Sequence, residues 1–181
     1  MNAFKKRVVT GALLLGAPLA SQAATVTNTF QVLLNLQASC TVTNPQNLDF
    51  GNATEAQVVA GSVAEATGSF DVTCSNGTSY DIGLNNGLNS ANAPAGNRAM
   101  TSASGNGTYV GYSLYQTSGT STPWGDIGSG TERTSLTGTG SAQSYTVYGS
   151  VPAQTPTIAA TDTITGAGVQ LSDTVTVTVS F

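Results

Sequence analysis

Side chains able to do chemistry are scarce in this chain. There is no histidine, and of the five basic residues three are Lys5, Lys6 and Arg7, leaving only Arg98 and Arg133 further on. Without an imidazole or an available amine, Ser–His, Cys–His and Ser–Lys nucleophile pairs cannot form. Metal binding fares no better, because two thiols and no imidazole fall short of a zinc ligand set. Carboxylate pairs such as Glu55 with Glu65, or Asp71 with Asp81, are the one remaining route to acid–base work. Nine acids spread over a domain of this length are more simply solvated. Asp126 in "WGDIGSG" lacks the multi-oxygen spacing of a calcium loop. Gly128-Ser129-Gly130 and Gly138-Thr139-Gly140 lack the strand-to-helix setting of a phosphate cradle. We therefore expect no catalytic residues, no metal and no cofactor.

The two cysteines, Cys40 and Cys74, take their meaning from the start of the chain. Lys5, Lys6 and Arg7 precede an apolar run over residues 8–17, and Ser21-Gln22-Ala23 offers small residues where signal peptidase reads. Residues 1–23 read as a signal peptide, with Ala24 as the mature N-terminus. The run is too short to span a bilayer, which takes about 20 residues. Two cysteines in an exported chain predict one disulfide, Cys40–Cys74.

Cleavage there leaves two arginines against nine carboxylates, a formal charge of −7. Such a chain has no footprint for nucleic acid and is repelled by anionic membrane surfaces. Charged residues make up only 8% of the whole, so Ser, Thr, Asn, Gln and Gly must form the surface. That composition suits an extracellular structural or adhesive protein.

The elements that would carry these residues read as β-strands. Short alternating runs separated by Gly, Asn, Ser and Pro clusters indicate an all-β sandwich in one domain. The predicted strands are residues 29–37, 40–43, 68–74, 79–85, 109–116, 144–150 and 173–181. Asn-Gly turns follow at Asn76-Gly77 and Asn86-Gly87. Residues 56–66 form the best helical candidate, but Gly61 and the valines argue against a helix. Residues 86–107 and 117–130 read as connections long enough to hide a further short strand or helix. Tyr112 shares a face with Val110 and Leu114 and reads as core. Tyr109, Tyr115 and Trp124 could face outward and stack on a sugar.

Two strands stand out. In "TFQVLLNL", Phe30, Val32, Leu34 and Leu36 fall on one face. In "DTVTVTVSF", Val175, Val177, Val179 and Phe181 fall on one face, and Thr174, Thr176, Thr178 and Ser180 on the other. The two could pair within one molecule, or across two copies, or the first could belong to a leader removed later. Periodicity leaves the three open.

Four segments resemble the spore coat protein U family, which includes major subunits of archaic chaperone–usher pili of the Csu and CupE type. They are "TFQVLLNLQASCTV" (29–42), "LDFGN" (48–52), "GSFDVTCSNGTSYDIGL" (68–84), and "YTVYGSVPAQ" (145–154) with "LSDTVTVTVSF" (171–181). With "VGYSLYQ" (110–116) and "WGD" (124–126) the likeness spans nearly all of the mature chain. Leu171 stands where family members often carry a tyrosine, at the cost of one buried hydroxyl contact.

The resemblance implies an incomplete immunoglobulin-like β-sandwich lacking its last strand, completed by a donor strand from a neighbouring subunit. It implies a donor-strand extension at 24–37, a pilin domain at 38–181, and no enzymatic activity. Phe30, Val32, Leu34 and Leu36 would be the donor residues, and Val175, Val177, Val179 and Phe181 the edge of the acceptor groove. The partners implied are other copies of the chain, a periplasmic chaperone, an outer-membrane usher and a tip adhesin. The route implied runs through the periplasm to the cell surface, for adhesion and biofilm formation. The competing reading from the residues alone is a self-contained secreted carbohydrate-binding module.

Overall fold

A computed structural model describes residues 24–103, 107–160, 162 and 168–181. The predicted signal peptide lies outside the described residues. The chain divides into two units, residues 1–35 and 36–181. In the first, residues 24–35 form no helix or strand and are exposed throughout.

The second unit is an all-β, immunoglobulin-like sandwich. Its strands are β1 (Cys40–Gln46), β2 (Ala66–Cys74), β3 (Ser79–Leu84), β4 (Arg98–Ser102), β5 (Tyr109–Tyr115), β6 (Arg133–Thr137), β7 (Gln143–Ser150), β8 (Leu171–Ser172) and β9 (Val177–Ser180). One sheet has the order β1-β2-β7-β5-β4-β8, the other β6-β3-β9. Every pairing is antiparallel. Alternation dictates the core: Phe70 and Val72 from β2, Val110, Tyr112 and Leu114 from β5, and Tyr145 and Val147 from β7 face Tyr80, Ile82 and Leu84 of β3. Phe70 lies 5.9 Å from both Trp124 and Tyr145, centroid to centroid. Cys40 and Cys74 sit opposite each other in the β1–β2 register and form the expected disulfide.

Several sequence expectations need correction. Residues 29–37 are not a strand, because no pairing among the described residues includes a residue before Cys40, and an alternating segment without a ladder partner stays extended chain. β1 continues past Thr43 to Gln46 through a bulge at Asn44, whose φ of 51° an asparagine tolerates. A short helix, α1 (Glu55–Ala60), does form. Thr54 and Gln57 make a capping box at its start, and Gly61 in the left-handed region ends it. The connection over 86–107 conceals β4 and a 3-10 turn at Ser90–Asn92. β6 was not anticipated either. The final strand contracts to Val177–Ser180, while Leu171–Ser172 pairs with β4 in the other sheet.

Two buried polar groups fix this architecture. Arg98, fully buried, donates to the carbonyls of Leu84, Asn85 and Trp124 at 2.8–2.9 Å, tying β4 to the end of β3 in the opposite sheet. Gln154 receives the Gly111 N–H at 2.6 Å and donates to the Gly111 carbonyl at 2.7 Å. Continuing the β5–β7 register brings Pro152 opposite Gly111. Proline has no N–H to give, so the Gln154 amide takes the place of a strand neighbour.

Candidate functional site

β1 and β9 are the outer strands of different sheets, each paired on one side only. Between them the core is open. A cavity of about 480 Å³ is floored by Phe70, Val147, Tyr112, Leu114 and Met100 from the six-stranded sheet. Residues 45–50, from the end of β1 onward, form one wall, and residues 170–173 with Val175 and Val177 form the other. Leu48, Phe50, Met100, Leu171, Val175, Val177 and Val179 are only partly buried against the core, so apolar surface here awaits cover.

The floor is shaped by glycine. A Cβ on Gly149 would lie 2.7 Å from Leu48 Cδ1 and 3.0 Å from the Phe50 ring. Its absence lets the "LDFGN" segment lie down on β7. Phe50 then meets Tyr112 edge-on, with ring centroids 6.3 Å apart.

The far wall carries the site's polar chemistry. Asp173, where the chain leaves β8 for β9, accepts from the Tyr112 hydroxyl at 2.8 Å, Leu88 N–H at 2.9 Å, Thr174 N–H at 2.8 Å and the Asn89 amide at 3.3 Å. Burial, and then the bond to Asp173, push the Tyr112 phenol well above its ordinary range. Burial lowers the pKa of the Arg98 guanidinium, and Tyr112, Asp173 and Asp126 work against that shift. Thr176 is held too, its N–H donating to Asn85 Oδ1 at 2.9 Å and its carbonyl accepting from Asn85 N–H at 3.1 Å.

Of the predicted groove edge, Val175 and Val177 line the cavity. Val179, opposite Ile82 in the β3–β9 register, is half-buried outside that lining, and Phe181 is 61% exposed. The predicted donor residues Phe30, Val32, Leu34 and Leu36 are 85–88% exposed, an unusual state for four large apolar side chains in a row. Sequence reasoning did not assign Leu48, Phe50, Met100 or Asp173 to the site. Gly-poor alternation points to strands, whereas these residues lie in a loop, a missed strand and a crossover.

The other candidates disperse. Trp124 is fully buried, its indole N–H donating to the Ile82 carbonyl at 2.9 Å, so it cannot stack on a sugar. Arg133 lies over Tyr145 and Trp124, at 5.0 and 5.9 Å from their ring centroids. Tyr112 is core, as expected, while Tyr109 and Tyr115 are partly exposed on the outer face. Asp71 bonds Asn44 and Ser144, Asp81 accepts from Ser135 N–H, and Glu65 accepts from Gly119 N–H. Asp126 accepts from the adjacent Ile127 N–H. Among the described residues no three metal-ligating side chains come together, and no helix is long and apolar enough to cross a membrane.

Comparison with known proteins gives this geometry its context. No curated protein matches the chain. Seven chains of solved structures do. One belongs to the complex of CsuC and CsuE, a chaperone–tip adhesion subunit pre-assembly complex from the archaic chaperone–usher Csu pili of Acinetobacter baumannii. It matches with 25% identity and a TM-score of 0.50 over 80% of this chain, which spans 40% of the matched chain. The sequence profile of the Spore Coat Protein U domain matches residues 26–178. The chain belongs to the spore coat protein U family.

Proposed function

We propose that this chain is the repeating subunit of an archaic chaperone–usher pilus, polymerising by donor-strand exchange. Members of this family are structural, and the chain is not an enzyme. One observation carries the reading: a sandwich with an apolar cavity between two strand edges occurs in the same chain as four exposed alternating apolar residues. A strand bearing Phe30, Val32, Leu34 and Leu36 would enter the cavity of another copy and extend the β9 ladder. Burying four such side chains stabilises the junction by about 6–12 kcal/mol. Each backbone bond adds about 1 kcal/mol. The contact is head-to-tail and does not close, so its repetition makes a filament. On this reading the subunit is exported, held by a periplasmic chaperone, passed to an outer-membrane usher and stacked behind a tip adhesin. The fibre would serve adhesion and biofilm formation.

The test compares residues 24–181 with a version lacking 24–37, both made without chaperone and run by size exclusion. We expect heat-resistant oligomers from the longer chain. The shorter one should be only weakly stable alone, unfolding at low urea, and become a stable 1:1 species with synthetic peptide 24–37. A longer chain that stays a stable monomer at high concentration would show that the segment closes its own sandwich.

A further inference from the structure

We propose that Asp173 is a positioning residue for strand uptake, its carboxylate holding the far wall of the cavity in place before a donor arrives. The inference rests on the donor-strand reading and adds to it a means of keeping the acceptor open. Residues 173–176 cross from the six-stranded sheet to the three-stranded one, and Asp173 and Val175 of this crossover line the cavity. A crossover that pairs with neither sheet has no ladder to fix it. Its place is set by side chains and by one backbone bond, from Asn85 N–H to the Thr176 carbonyl. Asp173 takes four hydrogen bonds from three separate parts of the chain: Tyr112 on the floor, Leu88 and Asn89 in the turn after β3, and its own neighbour Thr174. Asn85 holds Thr176 by both backbone groups.

The turn is built around the carboxylate. Gly87 has a φ of +72°, and a Cβ there would lie 1.9 Å from Asp173 Oδ2. Glycine at this position serves the turn and also gives the carboxylate room. Behind the wall, buried Arg98 donates to the carbonyls of Leu84, Asn85 and Trp124, leaving the Asp173 oxygens to the wall. A wall fixed in this way offers the incoming strand a formed surface, so ordering the wall costs nothing at the moment of binding.

The test uses residues 24–181 with the donor face disarmed by Phe30→Ser and Leu34→Ser, and fluorescent peptide 24–37 as probe. Peptide affinity is read by anisotropy without denaturant, and urea midpoints are read without peptide. Asp173→Asn keeps the shape but removes the charge and puts an NH2 donor where Oδ2 accepts from the Tyr112 hydroxyl, and we expect it to weaken uptake about tenfold or more. Gly87→Ala should weaken uptake in the same way, and Tyr112→Phe to a smaller extent. Asp81→Ala, which removes the acceptor of the Ser135 N–H away from the cavity, should lower the urea midpoint and leave peptide affinity unchanged. Native affinity in Asp173→Asn and Gly87→Ala, with only a lower midpoint, would overturn the proposal. If Asp173→Asn fails to fold, Tyr112→Phe decides by the same two readings. If the parent itself takes up no peptide, the donor-strand reading falls, and this inference falls with it.

Discussion

Leu33 and Leu34 are adjacent leucines with almost the same exposure, 83% and 88%. As a strand they point to opposite faces, Leu34 with Phe30, Val32 and Leu36, and Leu33 with Gln31 and Asn35. Replacing either by alanine should leave the stability of an isolated subunit within about 0.5 kcal/mol, because both are solvated there. On the donor-strand reading the effect on the fibre should differ sharply. Leu34→Ala removes buried methyl and methylene groups at about 0.8 kcal/mol each and leaves a void at every junction, for a total of about 2–4 kcal/mol. That is roughly 30- to 700-fold in the junction equilibrium. Leu33→Ala should cost less than about 0.5 kcal/mol, since its side chain stays in water. The assay is the temperature at which preformed oligomers collapse to monomer in detergent, with subunit unfolding in urea as the companion measurement. Equal loss from both substitutions would refute the one-faced strand. Loss from neither would refute the donor assignment itself.

Gln154→Ala strands the N–H and carbonyl of Gly111 in the interior, and at about 1–3 kcal/mol for each group it should rank among the most damaging single changes in urea unfolding. Burial holds the Tyr80 and Tyr112 phenols neutral, aided at Tyr80 by Tyr145 and at Tyr112 by Asp173, so both ionise far less readily folded than unfolded. The folded state then binds more protons than the unfolded one as the pH rises past the ordinary tyrosine value of about 10, and stability should fall there. An absorbance titration should show these two phenols ionising only with loss of the near-ultraviolet signal, and smooth ionisation of both in folded protein would contradict their burial. The Cys40–Cys74 bridge closes a separation of 34 residues and should contribute about 4 kcal/mol. Urea midpoints of the Cys40→Ala, Cys74→Ala double variant would measure that contribution.

The elements legible in the sequence were those whose chemistry is local. β2, β3, β5 and β7 alternate strongly, and each lies within two residues of its expected bounds at either end. The disulfide followed from counting. β4 was hidden because its first inward position is Arg98, a charge whose burial depends on three carbonyls that only the folded chain brings together. β6, "RTSLT", is polar because it is an edge, and it bends at Ser135 with φ of 62°. The helix leaves a signal in Thr54 and Gln57, and Gly61, which in sequence looks like an interruption, ends it. At the site, alternation put Val175 and Val177 on one face and the family resemblance made that face a groove edge, but neither could say where the cavity stops. The Phe50 and Asp173 contributions come from a loop and a crossover, where no period exists to read.

The burial of Arg98 has a consequence for how this domain meets proteases. Trypsin-like proteases cut after lysine or arginine, and residues 24–181 contain no lysine and two arginines. One is wholly enclosed, and the other, Arg133, lies in β6 against Tyr145 and Trp124. A protease of that class finds no flexible site on this domain. Reagents that seek amines find no side chain to modify, and the spread of carboxylates leaves cationic molecules as the natural visitors to its surface.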